Sequence, residues 1–142
     1  MKSKAPLALM EQLVMLLVFA LAAALCLQVF ILSDQMSRRC EERDRAVTAV
    51  QNAAETLKSC RGDLDASVGI LGGASDGSEW RIGYDADWQQ VPADQAVYQV
   101  LATPEQQAEN ALIGTAEVLA KTVEGEQLFQ LTVSWQEVGS HG

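Results

Sequence analysis

The chain begins with one long apolar stretch, LALMEQLVMLLVFALAAALCLQVFIL, which occupies residues 7–32. Only Glu11, Gln12 and Gln28 in this stretch are not apolar. With a rise of about 1.5 Å per residue, a helix of this length extends about 39 Å, whereas the hydrocarbon core of a bilayer is about 30 Å thick. The stretch therefore predicts a transmembrane helix over residues 7–32, which we call the apolar segment.

Glu11 is the unusual residue of the apolar segment. A charge at the centre of a membrane helix costs about 3 kcal/mol, so an ionisable side chain in such a run is a candidate functional residue. A second interpretation stays open, because Glu11 is close to the start of the run. Its carboxylate can then lie at the headgroup boundary and reach water beside Lys4.

The residues LALME, from Leu7 to Glu11, and the following QLVMLLVFALAAA resemble the start of type IV pilins and of the pseudopilins of type II secretion systems. These proteins carry a short basic leader and then an apolar helix with a glutamate near its beginning. The resemblance implies a processing junction between Pro6 and Leu7, methylation of the new amino terminus, and assembly through Glu11, which pairs with the amino terminus of a neighbouring subunit. Family leaders usually end in glycine, sometimes alanine, and this chain has Ala5 and Pro6 there.

The charges that flank the apolar segment bear on its orientation. Residues 1–6, the leader, contain two lysines and favour a cytoplasmic amino end, whereas four arginines beyond the segment favour the reverse. Those arginines are interleaved with acidic residues and precede an acidic domain. We therefore expect a single-pass protein of the cytoplasmic membrane with an extracytoplasmic carboxyl-terminal domain. The four arginines are Arg38, Arg39, Arg43 and Arg45.

Cleavage by signal peptidase is a competing interpretation of the amino end. Ala22 and Ala24 have the small-residue spacing of such a site. The apolar run continues to Leu32, however, and cleavage would leave that run on the mature amino terminus. A secreted domain is therefore the less favoured expectation.

Length and charge restrict the classes of function. The 142 residues leave room for the apolar segment and one small domain. The net charge is -9, and residues 62–142 hold two basic and thirteen acidic residues. Binding to a phosphate backbone needs clustered Lys and Arg, so nucleic acid is not expected as a partner.

The sequence shows no enzyme constellation, cofactor motif or small-molecule site. His141 is the only histidine and is the penultimate residue, and the glycines of residues 69–73 lack the Lys and Ser/Thr of a phosphate loop. We expect no catalytic residue, no cofactor and no metal. Asp85 and Asp87 are weak calcium candidates, together with Asp76, Glu79 or Asp94, because the full ligand spacing of a calcium loop is missing.

The cysteines are Cys26, Cys40 and Cys60. On one straight helix Cys40 and Cys60 would be about 30 Å apart, and a disulfide needs about 4.4 to 6.8 Å between Cα atoms. Unpaired thiols are the main expectation. Pairing between chains or across a helix break is the alternative.

The helix is expected to continue out of the membrane through residues 33–61. No proline or glycine occurs between Ser33 and Ser59, and Gly62 is the expected helix cap. One face carries apolar residues at helical spacing and is expected to pack against the domain that follows the helix. These are Val47, Val50, Ala54 and Leu57.

The distal residues predict a small antiparallel domain over residues 80–138, after a loop at 62–79 and before a tail at 139–142. Thr103, Pro104 and Gln106 indicate a short helix that ends near Gly114. Alternating apolar residues predict strands. The strands are expected at 80–85, 96–102, 115–123 and 127–135, and their core residues are Trp80, Tyr98, Val100, Phe129, Leu131 and Val133.

These elements predict an α+β fold in which a long amino-terminal helix packs on an antiparallel sheet of three or four strands, as the pilin resemblance also implies. The expected function is that of a pilin-like or pseudopilin-like structural subunit, not an enzyme. Its partners would be other pilin-like subunits, membrane assembly machinery and lipid. The alternative is a single-pass envelope protein whose helix and sheet dock onto a division or secretion complex without polymerising.

Overall fold

The computed structural model describes residues 4–106 and 111–137, and it describes Lys4 by its backbone alone. These residues form two compact units, one up to Glu41 and one from Glu42 onward. The helices are α1 (Lys4–Ser59) and α2 (Leu64–Leu71). The strands are β1 (Ala74–Ser75), β2 (Trp80–Tyr84), β3 (Tyr98–Pro104), β4 (Ile113–Thr122) and β5 (Gln127–Gln136), and a 3-10 turn covers Ala93–Gln95.

The first helix, α1, begins at Lys4, three residues before the apolar segment. Pro6 lies in its first turn, where a missing N–H costs no helical hydrogen bond. Its carboxyl end is closed by two backbone bonds, from Arg61 N–H to Lys58 C=O at 3.1 Å and from Gly62 N–H to Leu57 C=O at 2.9 Å. The expectation that Gly62 is the cap is off by one position, because Arg61 occupies the first left-handed position with φ of 54°.

The sheet of the second unit has five strands in the order β1-β2-β3-β4-β5, and all neighbours are antiparallel. The four predicted strands correspond to β2 through β5, and β1 adds a two-residue edge. Residues 42–59 of α1 share one apolar core with this sheet. The expected fold class, an α+β fold with a long amino-terminal helix on an antiparallel sheet, is confirmed.

The core combines small residues of the helix with large residues of the sheet. Val47, which was expected inside, is only half-buried, whereas Val50, Ala54 and Leu57 are buried as predicted. Alanines at 46, 49 and 53 complete the buried face and let the helix approach the sheet closely. From the sheet, Trp80, Val100 and Val133 are buried as expected, and Tyr98, Phe129 and Leu131 are half-buried against the same core.

The prediction of a loop over residues 62–79 is wrong, because α2 and β1 lie there. Asp63 caps α2, since its Oδ1 accepts a hydrogen bond from the N–H of Ala66 at 3.1 Å. Leu64 is buried in the core, and this burial holds the helix in place although Gly69 weakens it. Gly72 ends it, with its N–H bonded to the C=O of Val68 at 2.9 Å.

The predicted short helix after Thr103 is also wrong where the structure describes it. Thr103 and Pro104 belong to β3 and lie opposite Glu117 and Ala116 of β4. Pro104 is tolerated because its missing N–H faces away from β4, on a side where the pairing of β3 with β2 has already ended at Ala102. Residues 107–110 lie outside the described residues, and Gly114 is already part of β4.

Candidate functional site

The apolar segment is the first candidate site, and it belongs to the first unit. Every residue from Ala5 to Glu41 is exposed, and the exposed fraction reaches 74 % at Phe19. The mean hydropathy of its most apolar window is 2.8, and the helix is long and apolar enough to cross a membrane. Its backbone groups are bonded within the helix, as a membrane interior requires. Its side chains are free to contact lipid or other helices.

Glu11 lies on the surface of this helix among apolar neighbours. A shallow depression beside it, of about 660 Å³, is lined by Leu7, Ala8, Met10, Val14 and Met15 as well as by Glu11 itself. Among the described side chains, no Lys or Arg lies within ion-pair distance of its carboxylate. Inside a membrane, a carboxylate in such a setting would gain free energy from any cation that reached it, because hydrocarbon screens charge weakly.

The predicted processing junction falls inside the first turn of α1. Ala5, Pro6 and Leu7 are all helical and exposed. A peptidase requires an extended substrate, so the first turn of α1 would have to unwind before cleavage. The ends of a helix fray easily, and this cost is small.

The cysteines do not form a site within the described residues. Cys26 and Cys40 are exposed on α1, Cys60 is half-buried just after it, and all three thiols are free. Cys40 lies within α1 and Cys60 one residue beyond its end, so the separation by helical rise is as expected from the sequence.

Two of the acidic residues considered for calcium, Asp85 and Asp76, accept the hydrogen bonds that close turns. Oδ1 of Asp85 accepts hydrogen bonds from the N–H groups of Asp87 and Gln89, both at 2.9 Å. Within residues 4–106 and 111–137, no group of three or more His, Cys, Asp or Glu side chains could hold a metal ion.

Asp76 closes a second turn, and its Oδ1 accepts bonds from the hydroxyl and N–H of Ser78 and from the N–H of Glu79. These three bonds stabilise the charged form and lower the pKa of Asp76 to about 2. The Oδ1 atom of Asp76 is therefore occupied by hydrogen bonds within the turn.

An aromatic cluster, which sequence reasoning did not anticipate, joins the helix to one end of the sheet. Trp88 stacks on Tyr98 with ring centroids 4.2 Å apart, and the ring of Tyr84 lies 5.6 Å from that of Trp88 at an interplanar angle of 43°. Trp88 has a positive φ of 60°, a conformation that costs free energy for a bulky residue. Partial burial, a hydrogen bond to Glu42 and the charge of Glu42 raise the pKa of Tyr98 to about 12.

Trp135 fills a second junction, where the end of α1 meets β4 and β5. A Cβ on Gly62 would lie 2.3 Å from its Cζ2 atom, and a Cβ on Gly114 would lie 2.2 Å from its Nε1 atom. The indole therefore needs glycine at both positions. Its buried Nε1–H has no hydrogen-bond partner among the described residues. Lys58 and Arg61 line a shallow depression of about 530 Å³ next to this indole.

The sequence-predicted residues are thus not gathered at one place. Glu11 lies in the first unit, Asp76 and Asp85 close separate turns of the second, and His141 is outside the described residues. The chain matches no protein-family model, no curated protein and no solved structure.

Proposed function

We propose that the chain is a pilin-like structural subunit that acts by assembly with related subunits in a membrane. One observation carries the proposal. Glu11 is an exposed carboxylate within the apolar part of a helix that continues without a break to Ser59. A carboxylate placed in the membrane needs a cationic partner, and among the described side chains of its own chain none lies within ion-pair distance.

In this proposal the apolar segment both anchors the chain and forms its assembly surface. The segment spans the cytoplasmic membrane, and the acidic domain lies outside the cytoplasm. The carboxylate of Glu11 pairs with the amino terminus of a neighbouring subunit, which requires a free amine near Leu7. The all-exposed surface of residues 5–41 supports this role, because no part of the described chain covers it.

Replacement of Glu11 tests the proposal. We expect Glu11→Ala and the isosteric Glu11→Gln to insert into the membrane normally, because removal of a charge favours insertion. Both should lose site-specific cross-linking between subunits in the membrane, whereas Gln12→Ala, at the adjacent position, should cross-link like the parent chain. Undiminished cross-linking of Glu11→Gln would refute the assembly role of the carboxylate.

The leader junction favours one second candidate, a single-pass envelope protein that docks onto a partner complex without polymerising. Pro6 stands where processed pilins usually have glycine, and it belongs to the same helix as the apolar segment. The mass of the mature amino terminus separates the two functions. A chain that starts at Leu7, with or without a methyl group, supports the pilin-like subunit, and an intact start at Met1 supports the docking protein.

A further inference from the structure

The depression beside Trp135 is a local concentration of positive charge. It has a volume of about 530 Å³, and its described lining consists of Lys58, Arg61, Ile113, Ser134, Trp135 and Gln136, without a carboxylate. Lys58 and Arg61 are both exposed, and among the described residues no carboxylate lies within ion-pair distance of either. We call this surface the cationic depression. Its two charges are available to a partner.

The walls of the cationic depression are firmly held and partly apolar. Trp135 is buried and packs against the backbone of Gly62 and Gly114, which fixes the position of its ring. Ile113, also in the lining, is 56 % exposed. The partner that fits is therefore a convex group that carries negative charges next to an apolar side chain.

The turn between β4 and β5 has these properties. Residues 123–126, which we call the β4–β5 tip, are all exposed and have the sequence Val-Glu-Gly-Glu. Thr122 holds the tip in place, because its C=O accepts a bond from the N–H of Gly125 at 3.0 Å and its Oγ1 accepts one from the N–H of Glu126 at 3.0 Å. Val123 is 53 % exposed. The tip is thus an ordered acidic loop with an apolar side chain beside it.

The cationic depression and the β4–β5 tip lie at opposite ends of one strand. β5 begins at Gln127, next to the tip, and ends at Gln136, in the lining of the depression. Its ten residues extend about 30 Å at about 3.3 Å per residue. The tip of one copy therefore cannot reach its own depression, whereas it can reach that of a second copy.

A contact between two different surfaces of identical chains is heterologous and can repeat without closing into a ring. Here each copy would be displaced from the next by about 30 Å along β5. This displacement keeps most of the negative charge of two domains apart, because charges in water are screened beyond about 8 Å at physiological ionic strength. Two copies at the same height in a bilayer cannot make this contact, but copies shifted along a fibre can.

We propose that the cationic depression binds the β4–β5 tip of a second copy of this chain, end to end. Lys58 and Arg61 pair with the carboxylates of the tip, and the exposed apolar side chains beside the two sets of charges contact each other. The inference rests on the proposed assembly of copies, and it adds a contact between their acidic domains that does not involve Glu11.

Zero-length cross-linking of the full-length chain in detergent micelles tests the proposal, because micelles do not hold two copies at the same height. A carbodiimide joins a lysine amine to a carboxylate in contact with it. In a mixture of isotope-labelled and unlabelled chains, we expect mass spectrometry to find links from Lys58 to Glu124 or Glu126 that join labelled to unlabelled copies. The control Lys58→Arg keeps the charge without the reactive amine, so it should lose the links and still associate like the parent.

Charge reversal at the two surfaces separates attraction from misfolding. The chain with Lys58→Glu and Arg61→Glu, and the chain with Glu124→Lys and Glu126→Lys, should each self-associate about tenfold more weakly than the parent in sedimentation equilibrium. An equimolar mixture of the two chains brings opposite charges together again and should associate within about threefold of the parent. The chain with all four changes has the net charge of the parent and should also associate like it.

Three outcomes would overturn the proposal. Links from Lys58 only to carboxylates of its own copy would show that the chain itself fills the depression. Links from Lys58 to carboxylates of a second copy outside the tip would show a different contact. An equimolar mixture that stays dissociated, although tryptophan fluorescence shows both reversed chains to be folded, would exclude the charge pairing.

The same cross-linking in Glu11→Gln distinguishes this contact from the proposed function. The links from Lys58 should persist in that variant, whereas cross-linking through the apolar segment should be lost. Persistence of both kinds of link would refute the role of Glu11 and leave the tip contact in place. Absence of the Lys58 links from a parent chain whose apolar segments do cross-link would refute the tip contact alone.

Discussion

Two adjacent residues after α1, Arg61 and Gly62, both adopt positive φ but for different reasons. Arg61 has φ of 54°, and its backbone alone forms the turn that ends α1. Gly62 has φ of 82° and also faces the ring of Trp135. A side chain at the first position is merely strained, and at the second it also collides. The same local conformation therefore predicts opposite effects of substitution.

We expect Arg61→Gly to raise the free energy of unfolding of the domain by about 1 kcal/mol, because glycine adopts this conformation without strain. Gly62→Ala should lower it by about 2 kcal/mol or more, through strain and overpacking against Trp135. Urea unfolding of the full chain in micelles, followed by tryptophan fluorescence, measures both. Similar effects from the two substitutions would contradict the close packing of Trp135 against Gly62.

The turn closed by Asp76 makes the stability of the folded domain depend on pH in the acid range. Its pKa in the folded chain is about 2, below the ordinary value of 3.8, so the charged form favours the folded state. The stabilisation is complete above pH about 4 and is lost as the pH falls toward 2. Ser78→Ala removes the hydroxyl donor and should raise the pKa of Asp76 in a carboxyl carbon NMR titration, while the pKa of Asp76 should not respond to Asp94→Asn, a change away from this turn.

Tyr98 makes the stability of the folded domain depend on pH in the alkaline range, where stability falls as the pH rises. Its pKa of about 12 lies above the ordinary value of 10.0, so the folded state holds the phenol proton more tightly than the unfolded state. The domain should therefore lose stability as the pH rises from about 10 to 12. Glu42→Gln removes a nearby negative charge and should lower the pKa of Tyr98, as measured by phenolate absorbance. An unchanged value would contradict the contact between Glu42 and Tyr98.

At the scale of elements, α2 shows how a weak local signal becomes a helix. Its sequence includes Gly69 in the interior, which costs about 1 kcal/mol in helical propensity. The capping carboxylate of Asp63 and the burial of Leu64 offset this cost. Without knowledge of these two contacts, the glycines and aspartates of residues 62–79 predict a loop.

Removal of the cap should therefore melt α2 selectively. We expect Asp63→Ala to lower the free energy of unfolding by about 1 kcal/mol and to increase hydrogen exchange at the amide of Ala66. Asp65→Ala, within the first helical turn but without the capping bond, should have a smaller effect. Equal effects from the two substitutions would show that charge near the helix start, not the capping bond, is what stabilises α2.

At the scale of the whole molecule, the chain has a first unit whose surface is apolar and a second unit that is acidic and carries its own core. The apolar surface of the first unit is too large for an aqueous environment. The helix is long enough to remove that surface from water by crossing a bilayer. The whole-molecule architecture thus agrees with an anchored domain.

Charges at the middle of the apolar segment should release the chain from the membrane. The double variant Val18→Arg with Leu21→Arg costs about 3 kcal/mol for each arginine, and we expect it in the soluble fraction after alkaline extraction of membranes. Met36→Arg, an exposed position outside the segment, should remain in the membrane fraction. Release of both variants alike would indicate peripheral attachment.

Much of the fold could be predicted because its signals are local. Phe129, Leu131, Val133 and Trp135 alternate so regularly that the face of β5 follows from the period of a strand. The capping signal at Thr103 and Pro104 led to the wrong prediction of a helix. It is a local motif, and here pairing with a distant strand outweighed it. Residues 98–104 pair with 116–122, and no local pattern reports that contact.

The sequence by itself determined the apolar segment, the position of Glu11 within it, the helix that follows and the alternation of the strands, because each depends on residues close together in the chain. Only the tertiary structure decided which groups meet across long separations. It placed Trp135 on Gly62 and Gly114, joined Tyr98 to Glu42, and left the outer side of β5 without a paired strand among the described residues. These features arise from packing between elements, and the physical reason is that burial and strand pairing are set by the whole core and not by any local pattern.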